Sequence, residues 1–454
     1  MSPRHIRHES RRHTLLSIKP LNSAATAVLK SHHNRRLVSM LPNGGAVLNI
    51  GFENYSKNSN TLATFGSDNA DILVERRDIS PTQCSFKVNW DTGVIMLRDH
   101  SVDQSTHVFG RDSIPFRSGS SRQIAVIHGL NSKIGLGGEA PGAVQFEMLW
   151  HDYAAETIAK VLARGLRVGH APRHVDIPST NQGDRRRRIR HVKIGALGAG
   201  ACGQVFKAID VDTGRMMAVK QAGDKSKMEP QLWRFQYDLL LREAKALATL
   251  EHPHVIPFIR SRIWPEKIEM FVELQQGSVE ALMSKRQIST LDICDRLLPQ
   301  ILSALDYLAY QNLIHRDVKP ANILYSIQSN GRYHFYLADF GLIDNFGTTS
   351  NIGTRVYFAP EIVLGMPQTD RVDVWALFMT MMWVMDVHGF RHLEPRLRSP
   401  VEAQQLVEMA KMDPVLSRIQ EMAAFDPSCR ASAAQMLVRL FCGKGLTTPI
   451  HKVI

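Results

Sequence analysis

The pattern of apolar and polar positions changes character several times along the chain. Between about residues 37 and 150, short runs rich in β-branched and aromatic residues alternate with turn-forming residues, as in strands joined by tight loops. Asp91-Thr92-Gly93 falls between two such runs and predicts a hairpin turn. The predicted strands are Ala46–Ile50, Thr61–Phe65, Ile72–Val74, Ser85–Trp90, Val94–Arg98, Thr106–Phe109, Gln123–Val126 and Gln145–Trp150. Regular short strands of this kind predict an all-β sandwich.

Further along, apolar residues recur at helical spacing in longer segments. The predicted helices are Tyr153–Leu166, Arg234–Glu251 and Leu291–Gln311. Strand-like runs at Val205–Ala208 and Met216–Lys220 flank a turn at Asp212-Thr213-Gly214, and Ile268–Leu274 predicts one more strand. The chain is therefore expected to be multidomain and of the α+β class, with an all-β sandwich first.

Composition shifts divide the chain into five predicted parts. Residues 1–36 are rich in Arg, His and Ser without a sustained period and predict a disordered basic tail, although Ser23–Lys30 has the pattern of one or two helical turns. The predicted sandwich at 37–150 is followed by a helix and basic linker at 151–190. A larger domain is predicted at 191–443, with a C-terminal tail at 444–454.

The 454 residues carry a formal net charge of +12, which raises the question of acidic partners. Much of the excess lies in the first 36 residues and in Arg185–Arg190, where no aromatic residues interleave with the charge to form a stacking surface. We therefore interpret the charge as a solvated tail and linker, and nucleic acid is not expected as a partner. Arg185–Arg190 has an alternative interpretation as a segment read by nuclear import receptors.

The lengths of the apolar runs and the spacing of the cysteines predict the compartment and whether the chain associates with a membrane. The longest apolar run, near Ala376–Met385, is too short to span a bilayer, and the basic N-terminal stretch has no apolar core typical of a signal peptide. The five cysteines are scattered without CxxC spacing. This usage predicts reduced thiols in the cytoplasm or nucleus and no membrane partner.

The strongest chemical signal is His315-Arg316-Asp317-Val318-Lys319-Pro320-Ala321-Asn322, followed by Asp339-Phe340-Gly341. Phosphoryl transfer needs a carboxylate to orient the attacking hydroxyl, oxygen ligands for Mg²⁺ and a lysine near the moving group. The two motifs at this spacing resemble the eukaryotic protein kinase family. That resemblance covers roughly residues 192–441 and implies a bilobal fold with a β-rich N-lobe and an α-rich C-lobe.

A glycine-rich segment upstream supports the same resemblance. Residues 198–205 fit GxGxxGxV, with Gly198, Gly200 and Gly203 letting backbone N–H groups approach phosphates. A Rossmann turn is the alternative, but it requires a helix directly after the last glycine. Here the sequence continues as strand, turn and strand up to Met217-Ala218-Val219-Lys220, which is the kinase arrangement.

The resemblance implies a role for each matching residue. Lys220 would hold the α- and β-phosphates of ATP, with Glu243 as its ion-pair partner. Asp317 would orient the substrate hydroxyl, Lys319 would neutralise the γ-phosphoryl group, and Asn322 and Asp339 would bind Mg²⁺. The implied adenine slot is formed by Leu197, Val205, Ala218 and Leu324, with Val272 as gatekeeper and backbone groups from Glu273 to Gln275 facing the base.

The segment from Gly353 to Glu361 fits GTxxYxAPE, which, like Lys319, is the serine/threonine type. It implies that Thr354 contacts the catalytic Asp and Lys and that Glu361 pairs with Arg430, while Asp373 anchors the catalytic loop. Arg316 would order a phosphate on Thr348, Thr349 or Ser350. A segment ordered without phosphorylation is the alternative that the sequence leaves open.

The order of short sequence motifs in the predicted sandwich resembles that of a forkhead-associated (FHA) domain, a fold that binds phosphothreonine. Phe65-Gly66-Ser67, Ile79-Ser80-Pro81-Thr82-Gln83 and Leu97-Arg98-Asp99-His100-Ser101 carry the likeness. Ser67 replaces the usual phosphate-binding Arg, and Pro81 and Gln83 replace the usual Arg and His, which weakens the expectation of phosphoprotein partners. A sandwich that binds unphosphorylated partners is the alternative.

We therefore expect an ATP- and Mg²⁺-dependent protein serine/threonine kinase acting on protein substrates. The FHA-like domain would recruit partners or regulate the enzyme. The alternative from another class is a pseudokinase adaptor acting through the sandwich. Because pseudokinases usually lose the equivalents of Lys220, Asp317 or Asp339, and all three are present, the enzyme is favoured.

Overall fold

The computed structural model describes residues 14–52, 61–118, 122–138, 142–167, 188–200, 203–285, 289–348 and 353–453. The chain forms two compact units, residues 1–194 with 208–216 and residues 195–207 with 217–454. Residues 1–13 and residues 168–187 of the predicted linker lie outside the described ranges, so the corresponding predictions stay predictions.

The first unit contains a six-stranded and a five-stranded sheet. The six-stranded sheet has the order β2-β3-β1-β11-β10-β8 and comprises Val38–Met40 (β2), Ala46–Gly51 (β3), Thr14–Pro20 (β1), Val144–Trp150 (β11), Lys133–Leu136 (β10) and Thr106–Phe109 (β8). The other has the order β5-β4-β6-β7-β9 and comprises Ile72–Leu73 (β5), Thr61–Gly66 (β4), Cys84–Val88 (β6), Ile95–Asp99 (β7) and Gln123–Val126 (β9). Leu16, Leu48 and Phe146 from the first sheet share a core with Phe65, Phe86 and Leu97 from the second.

All eight predicted strands of this region are present, with ends that differ by no more than two residues. The prediction of a disordered tail is wrong for residues 14–36. Strand β1 lies between β3 and β11 in the six-stranded sheet, and Leu15, Leu16 and Ile18 are fully buried. Helix α1, Ser23–Lys30, follows it, and Asn22 caps that helix by accepting a hydrogen bond from Ala25 N at 2.9 Å.

Residues 208–216 belong to the first unit, although the predicted boundary fell at 190/191. Ala125 N donates to Val211 O at 2.7 Å, and Ile209 joins a small core with Val94, Met96 and Ala125. The helix predicted at Tyr153–Leu166 is present as α2, Ala154–Arg167.

The second unit has a β-rich N-lobe and a helical C-lobe. The N-lobe is a five-stranded sheet of His191–Gly200 (β12), Gly203–Asp210 (β13), Met216–Gln221 (β14), Phe258–Trp264 (β15) and Lys267–Glu273 (β16). The strands lie in the order β12-β13-β14-β16-β15, and some residues of β12–β14 group with the first unit. Helix α3, Pro230–Leu247, packs on this sheet through Trp233, Tyr237 and Leu240.

The C-lobe is built from helices that surround two buried ones. These helices are α4 (Val279–Met283), α5 (Thr290–Tyr310), α6 (Pro360–Val363), α7 (Arg371–Met385), α8 (Phe390–Leu393), α9 (Pro400–Ala410) and α10 (Ala433–Phe441). Helix α5 buries Leu297, Ile301 and Leu308, as its apolar spacing predicts. Helix α7 is apolar on all sides and almost wholly buried, which makes it the centre of the lobe.

Short strands position the loops at the interface of the two lobes. They are Gly277–Ser278 (β17), Leu313–Ile314 (β18), Ile323–Ile327 (β19), Tyr333–Leu337 (β20) and Asp344–Asn345 (β21). β19 pairs with β17 and β20, and β18 pairs with β21. Across the described ranges, no helix has the length and apolar character needed to cross a bilayer.

Candidate active site

Strand β14 and helix α3 bring a lysine and a glutamate together at the edge of the N-lobe. Lys220 Nζ lies 2.7 Å from Glu243 Oε2 and 2.7 Å from Asp339 Oδ1. Glu243 is 2% exposed, and its other oxygen accepts from Phe340 N at 3.2 Å. Three predicted site residues, separated by up to 119 positions, therefore meet at one ammonium group.

The carboxylates on either side of Lys220 respond differently to it. Burial is the main influence on Glu243 and raises its pKa despite the nearby ammonium group. Burial also acts to raise the pKa of Asp339, but the charge and hydrogen bond of Lys220 reverse this and leave that pKa lowered. The contact with Lys220 therefore favours the charged form of Asp339.

The loop that contains Asp317 is tied together by short hydrogen bonds. Lys319 Nζ lies 2.9 Å from Asp317 Oδ2 and donates to Thr354 Oγ1 at 2.6 Å. Thr354 donates to Asp317 Oδ1 from its hydroxyl at 2.6 Å and from its backbone N at 3.1 Å. The predicted contact of Thr354 with both charged residues is present, and it fixes the Asp317 carboxylate from two sides.

A side chain of helix α7 anchors this loop by binding the loop's backbone. The Asp373 carboxylate accepts from His315 N at 2.7 Å and from Arg316 N at 2.8 Å. Arg316 has a positive φ of 69°, so the chain turns sharply between these two donors and Asp317. Burial raises the pKa of Asp373 to about 7.

Two oxygen-bearing side chains lie on adjoining strand ends. Asn322 donates from Nδ2 to Asp317 Oδ2 at 2.7 Å and to Asp317 O at 2.9 Å, which orients its amide. Ala338 N donates to Asn322 O at 2.9 Å, so Asp339 follows directly beside Asn322. An amide oxygen and a charged carboxylate are the hard donors that Mg²⁺ prefers, and this pair therefore fits the ion.

The three glycines before Val205 differ in their surroundings. A Cβ at Gly203 would lie 2.1 Å from Gln221 O, and its φ of +113° disfavours other residues. No atom lies within 4 Å of a Cβ added to Gly198 or Gly200. Gly203 is thus required by the neighbouring strand, while the other two leave open space, as a phosphate-binding loop needs.

The residues predicted to surround adenine lie on the N-lobe sheet and on β19. Ala218 pairs with Val272 across β14 and β16, and Val272 and Leu324 pack against the main core from partly buried positions. Val205 is half-buried, whereas Leu197 is 51% exposed. Glu273 ends β16 and Gln275 follows it, both half-buried, before β17 begins.

Sequence reasoning missed two features of the site. The His315 ring lies edge-on to Phe340 with centroids 4.7 Å apart, and its Nε2 contacts Ala338 O at 3.1 Å. Arg316 pairs with Asp344 through Nη2 and Oδ2 at 3.3 Å and donates from Nε to Leu342 O at 2.8 Å. Among the predicted phosphate acceptors, Thr349 and Ser350 lie outside the described residues.

The predicted pair of the C-lobe is present. Arg430 Nη1 and Nη2 donate to the two oxygens of Glu361 at 2.6 and 2.9 Å, with both side chains buried. The guanidinium also lies 5.0 Å from the centroid of the Trp375 ring. Through these two contacts, Arg430 connects the end of the Gly353–Glu361 segment to helix α7 at the centre of the helical lobe.

Comparison with known proteins gives one family for this arrangement. The protein kinase domain model matches residues 191–444, which is more than half of the chain. Cyclin-dependent kinase D-1 of Arabidopsis thaliana is 36% identical over 196 residues, 41% of this chain and 46% of that protein. Serine/threonine-protein kinase 10 of Mus musculus is 30% identical over 282 residues, covering 55% of this chain and 27% of that protein. Serine/threonine-protein kinase PAK mbt of Drosophila melanogaster is 29% identical over 276 residues, 57% and 40% of the respective chains. The chain spans less than half the length of each of these relatives.

Proposed function

Because the chain belongs to the protein kinase family, we propose that it is an ATP-dependent protein serine/threonine kinase. It transfers the γ-phosphoryl group of ATP to Ser or Thr hydroxyls of protein substrates. The observation that carries this proposal is the hydrogen-bonded set of Asp317, Lys319 and Thr354 beside the Lys220–Glu243 pair. These groups would then be held in position before the substrate arrives.

Asp317 orients the attacking hydroxyl and accepts its proton late in the reaction. Its carboxylate is already held by Thr354 and Asn322, so little reorganisation is needed when the substrate binds. Lys319 lies beside it and stabilises negative charge that develops on the transferred group. A strong base is unnecessary because the transition state is loose.

Lys220 holds the α- and β-phosphates and is itself held by Glu243. The open space around Gly198 and Gly200 supports close approach of their backbone N–H groups to phosphate oxygens. Val205, Ala218 and Leu324, with Leu197 at the exposed edge, provide apolar contacts for the base. Backbone groups of Glu273 and Gln275 supply its hydrogen bonds.

Asn322 and Asp339 would hold Mg²⁺, as their hard oxygen donors on adjoining strand ends support. When bound, the ion supplies neutralisation of charge on the phosphate oxygens. Asn322 contributes by the fixed orientation of its amide, and Asp339 by its lowered pKa, which keeps the carboxylate charged.

The transfer is tested with the full chain, ATP, Mg²⁺ and a serine-containing acceptor protein. Asp317→Asn keeps the size of the side chain but removes the carboxylate, and we expect phosphate incorporation to fall at least about a thousandfold. Asp292→Asn on the exposed start of α5 is the matched control and should retain activity. Equal incorporation by wild type and Asp317→Asn would contradict the proposal and favour the adaptor function. Nucleotide binding without any transfer would do the same.

We further propose that the sandwich is an FHA-like domain that recruits partners or regulates the kinase. Two sheets that share one core support this fold. Gln83 lies where the motif usually has His, and it accepts from Ser80 N at 3.0 Å and donates to Thr106 Oγ1 at 3.0 Å. Gln83 is therefore buried beneath the loop that contains Ser80 and stabilises it by hydrogen bonds.

Recruitment through phosphate is tested with the full chain and fluorescent phosphothreonine peptides. Micromolar binding that is lost with the unphosphorylated peptides and in Ser80→Ala supports reading of phosphate. Equal binding of both peptide sets favours the alternative, an unphosphorylated partner. The limits 191–443 are proposed for the kinase domain, whereas the sandwich extends beyond the predicted 37–150 because β1, Thr14–Pro20, lies within its six-stranded sheet. A cytoplasmic or nuclear location is supported by the free thiols of Cys84, Cys294, Cys429 and Cys442.

A further inference from the structure

A buried carboxylate on helix α5 binds the segment that follows α10. Asp306 is 1% exposed and accepts three hydrogen bonds from this segment. Thr447 N donates to Oδ2 at 2.6 Å, Thr448 N donates to the same oxygen at 3.0 Å, and the Thr448 hydroxyl donates to Oδ1 at 2.6 Å. Hydrogen bonds to a charged acceptor are stronger than neutral ones, so Asp306 is the main attachment point.

A second contact lies one turn earlier on the same helix. Ser303 Oγ donates to Gly445 O at 2.6 Å, and a Cβ at Gly445 would lie 2.9 Å from that hydroxyl. Leu446 packs between these contacts against the main core. Residues 445–448 therefore lie on the surface of α5, and we call residues 443–453 the clasp segment.

The surroundings of Thr448 are unfavourable for additional negative charge. The Asp306 carboxylate is in direct contact with its hydroxyl at 2.6 Å. A phosphate on Thr448 would bring between one and two further negative charges against this buried carboxylate. It would also replace the hydrogen that Thr448 now donates to Asp306, so attraction would become repulsion.

We propose that Thr448 is a phosphorylation site whose modification releases the clasp segment from α5. Thr448 is half-buried and is followed directly by Pro449, so the acceptor class that it fits is a substrate of a proline-directed serine/threonine kinase. In the reaction the Thr448 oxygen forms a bond to the γ-phosphorus of ATP, the bond to ADP breaks, and the hydroxyl proton leaves. The hydroxyl is engaged with Asp306, so the segment must first detach, and the phosphate then prevents its return.

Release would leave the buried Asp306 without the three donors it now has in the clasp segment. An unpaired buried carboxylate destabilises its surroundings. Helix α5 ends at Tyr310, five residues before His315, so the loss is felt in the lobe that carries the catalytic loop. The modification is therefore a device that couples the clasp segment to the stability of the helical lobe.

Phosphate transfer is tested in the full chain carrying Asp317→Asn, which removes its own proposed activity. A purified proline-directed kinase with ATP and Mg²⁺ is expected to place phosphate on Thr448, located by peptide mass spectrometry, and none there in Thr448→Val. Adding Asp306→Asn should speed incorporation about tenfold, because the hydroxyl is then held less tightly. Thr447→Ala, which keeps both backbone donors, is the matched control. No phosphate on Thr448, or equal rates with and without the Asp306→Asn change, would overturn the inference. Phosphate on Thr448 in the unmutated chain without the added kinase would overturn the assigned donor.

Release is measured by amide hydrogen exchange of residues 446–448 in the same full chain. The phosphorylated protein and Thr448→Glu should exchange at least about tenfold faster than the unmodified protein, and Thr448→Val should show a smaller increase. Combining Asp306→Asn with Thr448→Glu should recover part of the protection, because one of the two opposed charges is gone. Unchanged exchange on phosphorylation, or equal exchange in the Glu and Val variants, would show that charge does not release the segment.

Discussion

Asp344 pairs with Arg316, the residue just before the proposed catalytic carboxylate, and the Arg316 side chain has no exposed surface. In the sequence, this arginine was the cation available to order a phosphate on Thr348, Thr349 or Ser350. The structure gives it an internal anion and a carbonyl acceptor at Leu342 O. Burial lowers the pKa of Arg316, although Asp344 and Asp373 act in the opposite direction.

We therefore predict that activity does not depend on phosphorylation of that segment. A triple change of Thr348, Thr349 and Ser350 to Ala should leave kcat/KM within about threefold of wild type, because Asp344 already orders Arg316. Asp344→Asn should lower the free energy of unfolding by about 1 kcal/mol, a small value because the Asp344 side chain is partly exposed. Steady-state kinetics after phosphatase treatment and urea unfolding provide the measurements. A loss of activity above tenfold in the triple variant would restore activation by phosphorylation.

Removing the negative charge of Glu243 from the Lys220–Glu243 pair should reduce activity. Glu243→Gln should reduce kcat/KM for ATP by about 30-fold, since Lys220 would lose the charge of its partner on helix α3. The exposed Glu229, at the start of the same helix, provides the control Glu229→Gln, which should change kcat/KM little. Kinetics at several ATP concentrations check the effect. Similar values for both variants would mean that Glu243 does not position Lys220.

Two substitutions of Thr354 should show whether its hydroxyl group is what holds Asp317 in position. Thr354→Val keeps the shape but removes the hydroxyl bonds to Asp317 and Lys319, and we expect kcat to fall about 30-fold. Thr354→Ser retains the hydroxyl and should stay within about threefold of wild type. Steady-state kinetics compare the two variants, and thermal unfolding verifies that both are folded. If the Ser and Val variants lose activity equally, the hydroxyl is not what holds Asp317.

Acid should destabilise the protein through the half-buried imidazole of His254. Burial lowers the pKa of His254 to about 4 from its ordinary 6.5, and its Nδ1 contacts Phe335 O at 3.0 Å. Below pH 6.5 the unfolded chain therefore takes up a proton that the folded protein refuses until about pH 4. The contribution of this neutral histidine is complete above pH 6.5 and is lost as the pH falls through that window.

His254→Gln keeps a donor for Phe335 O but cannot titrate. Between about pH 7 and about pH 5, wild type should lose about 2 kcal/mol more unfolding free energy than this variant. His392→Gln, at an exposed position of the same unit, should follow the wild-type curve. Urea unfolding at both pH values measures the difference. Parallel curves for wild type and His254→Gln would contradict the assignment.

The buried Glu361–Arg430 pair predicts that lysine cannot replace arginine. Arg430→Lys loses one of the two hydrogen bonds to Glu361, so the free energy of unfolding should fall by about 3 kcal/mol. Arg439→Lys, in a partly exposed pair with Glu421, should cost less than about 0.5 kcal/mol. Chemical denaturation of the two variants gives both values. Equal losses would indicate that the bidentate geometry contributes nothing.

The elements that sequence predicted well are those with a clear period or a fixed motif. Helix α5 and strand β8 were predicted from the spacing of their apolar residues. The contact between Lys220 and Glu243 was predicted because the short motifs around both residues resemble those of protein kinases. Strand β1 was missed because a central strand is apolar on both faces, and Thr14–Pro20 is embedded in a basic, histidine-rich stretch. The run therefore lacked the alternation by which the other strands were found.

The unpredicted part of the site depends on backbone geometry. Asp344 reaches Arg316 only because Arg316 adopts a positive φ and because β18 pairs with β21, with Ile314 opposite Asp344. A local residue pattern does not specify such a pairing, and Asp344 carries no motif of its own. His315 was part of a motif, yet its contact with Phe340 requires the three-dimensional course of both loops.

The different surroundings of the three glycines have a consequence for saturation mutagenesis of this loop. Alanine at Gly203 would collide with the carbonyl oxygen of Gln221, so such a variant should be lost from the soluble fraction of a library. Alanine at Gly198 or Gly200 meets no neighbour and should be recovered as folded protein with altered nucleotide affinity. Abundance scores and affinity scores would therefore divide one short motif into a scaffold position and two ligand positions.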